Sequence, residues 1–189
     1  MNLILASQSP RRRELMGLFR VPFTACSADV DETMDPALPP EAEVARVSLK
    51  KALAVPRNGD DVVIAADTIV VCDGKILGKP RSEEDAFRML SLLSGRDHQV
   101  MTGLTVLRGG QRVTTTEITH IHFRPLSEKE IRGYIASGDP MDKAGAYGIQ
   151  GGAALFVKGL EGDYYNVMGL PVCRLWELLK GIAPEIMEE

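Results

Sequence analysis

This 189-residue chain has no excess of positive charge: 22 Lys and Arg stand against 26 Asp and Glu, a formal charge of −4. A chain so balanced cannot track a nucleic acid or an anionic bilayer along a broad face, so any anion site must be local. Aromatic residues make up 5% of the sequence, too few for a base-stacking platform. No window approaches the ~18 uninterrupted apolar residues of a membrane span, and the short apolar N-terminal stretch lacks a basic n-region. Cysteine is scarce too. Cys26, Cys72 and Cys173 are far apart, odd in number and without CxxC spacing. That argues against a disulfide framework or a zinc site and leads us to expect buried thiols. A cytoplasmic protein with no membrane and no nucleic-acid partner is the expectation. Repeats, low-complexity tracts and linkers are absent as well.

What is present suffices for one domain over residues 1–189: at 44% hydrophobic, such a length buries roughly 70% of its unfolded surface. "NLILAS" reads as a strand, after which Ser9 as N-cap and Pro10 at the first helical position open a helix with Leu15, Leu18 and Phe19 inward. A proline-rich loop leads to a helix carrying Val44, Val47 and Leu49. "DVVIAADTIVVCDGKIL" gives two strands turning at Asp73-Gly74. Ser82 caps a helix that Gly95 stops. "HQVMTGLTVL" and "RVTTTEITHIHF" are strands joined at Gly109-Gly110, the second alternating as a half-exposed strand does. Ser127 and Glu130 form a capping box, and the tail gives a strand, a loop and a helix begun by Pro171. Mixed strands and helices with several hairpins indicate an α/β or α+β class with a mixed sheet.

Several residues stand out chemically. Arg11, Arg12 and Arg13 crowd the positive end of the first helix, where each cation costs roughly 0.3–1 kcal/mol unless an anion joins it. Two of them can flank a phosphate met by backbone N–H groups; the alternative is a solvated basic helix end. Asp67 lies among aliphatic residues in "VVIAADTIVV", so its burial needs a cation or strong donors, and Lys79 in "GKP" is a plausible neighbour. Asp29, Asp31 and Glu32 could offer oxygen to a hard cation or merely be solvated. His120 and His122 share a strand face with no third ligand near in sequence, which favours an exposed face over a metal site. "KAGAYGIQGG" fits neither the P-loop nor the dinucleotide spacing, though its glycines would let backbone approach a flat ligand.

Taken in order, "LASQSPRRREL", "DVDET", "LKKA", "AADTIVV", "LGKPR", "MTG", "DKAGAYGIQG" and "NVMGLP" resemble the Maf family of nucleoside triphosphate pyrophosphatases over nearly the whole chain. The resemblance implies an α/β fold with a mixed central sheet flanked by helices, two lobes and a cleft between them. It also implies a homodimer, with Mg²⁺ or Mn²⁺ as cofactor and a nucleoside triphosphate as substrate. Carried over by motif, Asp67 matches the proton acceptor; Arg11, Thr68 and Gln150 match positions that influence base choice. Ser7, Arg12, Lys51 and Lys79 fall where phosphates are held, and Glu32, with Asp67, where metal is expected. Arg13 has no role in the pattern, and Asn166 lies in a stretch that departs from it.

"AGAYGIQG" further resembles the branch that accepts dTTP and UTP. A glutamine amide both donates and accepts, as the C=O, N–H, C=O edge of uracil or thymine requires, whereas the adjacent donors of guanine suit a carboxylate. A house-cleaning role in the nucleotide pool follows from this resemblance. The alternatives are hydrolysis of 7-methyl-GTP or another noncanonical nucleotide, and a non-catalytic nucleotide-sensing regulator of cell division. On this reading, neutralising Arg11 and Arg12 weakens triphosphate binding and leaves stability equal or slightly better.

Overall fold

A computed structural model describes residues 1–187. In chain order its elements are β1 (Leu3–Leu5), α1 (Pro10–Met16), β2 (Thr24–Ala25), α2 (Pro40–Ala54), β3 (Val62–Cys72) and β4 (Lys75–Leu77). There follow α3 (Glu83–Leu93), β5 (Asp97–Arg108), β6 (Gln111–Phe123), α4 (Glu128–Ile135), β7 (Val157–Glu161), α5 (Tyr164–Met168) and α6 (Val172–Ile182). The strands form one mixed sheet in the order β2-β1-β3-β5-β6-β7, with β4 paired to β3. Strand β1 is parallel to both β2 and β3, while β4 and β7 are antiparallel to their neighbours. The chain is thus a mixed α/β protein.

Local chemistry sets most of these boundaries. The Ser9 side chain accepts from the Arg12 amide and Pro10 fills the first position of α1. Ser82 accepts from the Asp85 amide, and Ser127 and Glu130 satisfy one another's backbone donors in a capping box. The β3 to β4 turn has positive φ at both Asp73 and Gly74, the conformation that suits the twist of a two-residue hairpin.

Two compact units divide the chain, and β3, β5 and β6 each pass from one into the other. Among the described residues, the first comprises Met1–Asp67, Thr102–Glu117 and residues 169–187. Its core gathers Ile4, Ala6, Ala52, Val55, Val63, Ala65 and Leu107. A Cβ at Gly103 of β5 would overlap the Val44 carbonyl of α2, so helix and strand approach backbone to backbone. The buried Ser48 and Thr105 hydroxyls, 2.8 Å apart, link the same two elements, and Thr105 lies 3.0 Å from the Thr114 hydroxyl of β6.

The second unit comprises Thr68–Met101 and Ile118–Met168. Its core packs Leu90 and Leu93 of α3 with Ile131 and Ile135 of α4 and with Ile121, Phe123, Tyr147 and Phe156. Buried Asn166 of α5 donates to the Val100 carbonyl and to Thr119, tying α5 to β5 and β6. That gives a structural task to a residue whose motif left it without one.

Four local expectations need correction. Leu15 and Met16 face the core from α1, whereas Leu18 lies past its end and is exposed, because the chain tightens to a 3-10 turn at Gly17. Cys72 alone of the three thiols is buried; Cys26 is half-buried and Cys173 exposed. Strand β6 alternates only from Thr119 onward, its first half being exposed or half-buried throughout. The short helix α5 was not anticipated, since five residues are too few to show a helical period.

Candidate active site

In the first unit, Asp67 is the last residue contributed by β3 and is 7% exposed. Its Oδ1 accepts from Lys51 Nζ at 2.7 Å, and the same ammonium lies 2.8 Å from Glu32 Oε1. Lys51 therefore supplies the cation that burial of Asp67 demands, where the sequence had suggested Lys79. The last turn of α2 presents Lys51, and a helix C-terminus favours positive charge. Two enclosed charges survive away from water only when paired in this way.

Arg12 completes the cluster. Its Nε donates to the Gly169 carbonyl at 2.7 Å and its Nη1 to Ser7 Oγ at 3.4 Å, while Ser7 Oγ also accepts from the Ser9 amide. Burial pushes the Arg12 guanidinium down from its ordinary value; Asp67 and Glu32 pull it back up, and Arg11 adds to the downward push. Lys51 is paired with both Glu32 and Asp67, Arg12 feels the charge of the same two carboxylates, and Arg11 lies close enough to Arg12 to add its own positive charge. Arg13 is exposed.

The pair of carboxylates fits a hard divalent ion. Such an ion takes one or two carboxylates and completes its shell with phosphate oxygens and water, and Glu32 and Asp67 already converge on a single cationic atom. Among the described residues no group of three or more His, Cys, Asp or Glu gathers, so a cage made of protein alone is not offered. His120 is exposed, and His122 Nδ1 is engaged with Asp97 at 2.6 Å.

In the second unit, Thr68 is half-buried, and Lys79 and Gln150 are exposed. The Gly145 amide donates to the Gly78 carbonyl at 3.0 Å, so the loop that leads to Gln150 is tied next to Lys79. Glycines in that loop serve the protein's own packing. Gly145 has φ of 68° and a Cβ there would stand 2.8 Å from Val70; at Gly148 and Gly151 a Cβ would strike Lys143 and Asp139. The side chains of Tyr134, Asp139 and Lys143 that line this loop were missed by sequence reasoning. Buried Glu43, gripped by Arg46 and the Asp35 amide, was missed as well, although its i,i+3 spacing to Arg46 was a readable signal.

A mixed α/β fold holding a buried carboxylate, its ammonium and a nearby arginine defines a protein with a charged site enclosed at its sheet. The chain belongs to the Maf family: the model described as "Maf-like protein" matches residues 2–182. A Moorella thermoacetica protein named dTTP/UTP pyrophosphatase is 51% identical over 181 residues, covering 94% of this chain and 93% of its own. A Chlorobaculum tepidum protein of the same name is 48% identical over 188 residues, covering 96% and 95%. Among solved structures, a HAM1 protein from Coxiella burnetii shares the fold with a TM-score of 0.51 at 12% identity, over 96% of this chain and 99% of that one. No helix among the described residues is long and apolar enough to cross a membrane.

Proposed function

We propose that this protein hydrolyses dTTP and UTP to the nucleoside monophosphate and pyrophosphate. The observation that carries the reading is the Asp67 carboxylate, buried, paired to Lys51 and facing Glu32 on a chain half identical to proteins named for that reaction. Arg11, Arg12, Ser7, Lys51 and Lys79 neutralise and orient the triphosphate. Asp67 orients a water toward the α-phosphorus and accepts its proton as pyrophosphate departs. Glu32 and Asp67 would hold Mg²⁺ or Mn²⁺, which supplies charge neutralisation to the phosphate oxygens. Displacement at phosphorus depends on positioning and electrostatic stabilisation, so no covalent nucleophile is required.

Arg11, Thr68 and Gln150 read the base, with the Gln150 amide matching the alternating acceptor and donor edge of uracil and thymine. The protein works in the cytoplasm as a homodimer that clears unwanted nucleotides from the pool. A panel of nucleoside triphosphates assayed for pyrophosphate release, with and without Mg²⁺ or Mn²⁺, tests this directly. UTP and dTTP should lead the panel and require the metal. Preference for 7-methyl-GTP would reassign the substrate, and nucleotide binding without any release would make the protein a sensor.

A further inference from the structure

The Tyr134 hydroxyl, on α4, works in two directions at once. It donates to Asp139 Oδ2 at 2.6 Å and accepts from the Gly148 amide at 3.1 Å. Lys143 Nζ closes the other side of Asp139, donating to its carbonyl at 2.6 Å and to Oδ1 at 3.0 Å. Both side chains lie hard against the turn that follows: a Cβ on Gly151 would stand 2.7 Å from Asp139 Oδ2, and one on Gly148 2.6 Å from Lys143 Cε. That turn closes on itself through the Gly151 amide and the Gly148 carbonyl, 3.2 Å apart. Gln150 is inside it, its own side chain exposed.

We infer that Tyr134 and Asp139 are positioning residues for base selection, fixing the turn from Gly148 to Gly151 so that the Gln150 side chain is presented from one fixed place. The inference rests on the reading of Gln150 as a base contact. An exposed glutamine on a loose backbone must be both placed and oriented by the base; a backbone fixed on either side settles the placement before the base arrives, leaving only the side-chain torsions to be ordered on binding. Each element of the lock has a reason to stay formed. Tyr134 is enclosed, its ring edge-on to Phe156 with centroids 5.3 Å apart. Burial and the neighbouring Asp139 hold its hydroxyl well above the usual tyrosine range, so it remains a donor at every working pH. Burial pushes the Asp139 carboxyl up, but the bonds from Tyr134 and Lys143 outweigh it and keep the acid ionised. Neither Lys51 nor Asp67 makes any of the hydrogen bonds described for this network, so its removal should alter selection and spare the chemical step.

The experiment compares Tyr134→Phe, Asp139→Asn, Gln150→Ala and the Tyr134→Phe/Gln150→Ala double variant, measuring kcat and KM for UTP, dTTP, CTP and GTP. Thermal midpoints and hydrogen exchange at the Gly148 amide are recorded for each. Loss of one such hydrogen bond should raise KM for UTP and dTTP about tenfold with kcat within about twofold, and the preference over CTP should fall toward that of Gln150→Ala. Gly148 exchange should quicken in Tyr134→Phe, and the double variant should discriminate no worse than Gln150→Ala. Unchanged discrimination in a folded Tyr134→Phe, or additive losses in the double variant, overturns the positioning role. Should Tyr134→Phe fail to fold, Asp139→Asn decides on the same criteria. Unchanged discrimination in Gln150→Ala overturns instead the base-reading role of Gln150, and this inference with it.

Discussion

Lys51 Nζ and Asp67 Oδ1 are 2.7 Å apart, both side chains nine-tenths enclosed, and Glu32 touches the same ammonium from the solvent side. The pair makes a buried acid tolerable, and on the proposed reading it also sets a cation beside the substrate's phosphates. Replacing Asp67 with Asn keeps an acceptor for Lys51 and leaves Glu32 as counter-ion, so the variant should fold. Its kcat on UTP should fall about 10²–10⁴-fold, the usual contribution of a general base. Pyrophosphate release checks the rate and circular dichroism the fold; full activity would remove Asp67 from the chemistry.

Removing the cation tests the other half of that pair. Lys51→Met leaves the Asp67 carboxylate enclosed without its ammonium, and breaking a buried pair in this way costs about 3–5 kcal/mol, less to the extent that Glu32 is open to water. If Glu32 and Asp67 hold the metal as proposed, the variant should also bind Mn²⁺ more tightly than the parent in the absence of nucleotide, because Lys51 occupies the same two oxygens. Mn²⁺ titration followed by electron paramagnetic resonance reads this out. Weaker Mn²⁺ binding would show that the two carboxylates are not the metal's ligands.

Arg12 is also part of the frame. The sequence alone suggested that neutralising it would leave stability equal or better, but its Nε bond to the Gly169 carbonyl opposes that expectation. Arg12→Ala should lower stability by about 1.5–3 kcal/mol, the range for a hydrogen bond from a charged donor, and weaken nucleotide binding as well. Arg12→Lys should restore the charge but not the planar fork, recovering affinity only in part. Urea unfolding and nucleotide titration separate the two effects.

His98 makes folding sensitive to mild acid. It is buried, with Nε2 2.7 Å from the Tyr147 hydroxyl, and burial lowers its pKa from 6.5 to about 4. The unfolded chain therefore binds a proton between pH 6.5 and 4 that the folded protein refuses. The stabilisation is fully present above pH 6.5 and is lost as the pH falls toward 4, on the order of 3 kcal/mol in all. His98→Gln, which can still reach Tyr147, should flatten the urea-midpoint profile over that window. An unchanged slope would assign the acid sensitivity to other groups.

Much of this protein is local and was open to reading. Ser9, Ser82 and the Ser127 and Glu130 box start helices because a side-chain oxygen meets an amide three residues away, and Asp73-Gly74 turns a hairpin because both residues accept positive φ. The burial of Asp67 was legible from its aliphatic neighbours. What the chain order could not reveal is who meets whom across long separations. Arg12 reaches Gly169 over 157 positions, and Asn166 reaches Val100 over 66. Propensity and periodicity report on a residue's own turn or strand, whereas these pairings follow from the return path of the sheet, which packing of the whole core selects. The caps, the hairpins and the presence of a carboxylate in need of a cation are therefore local properties, written in neighbouring residues. That the cation is Lys51, that Arg12 is bound to Gly169 and that Tyr134 bonds the turn around Gln150 depends on the folded chain, because each pairing joins residues that only the packed core brings together.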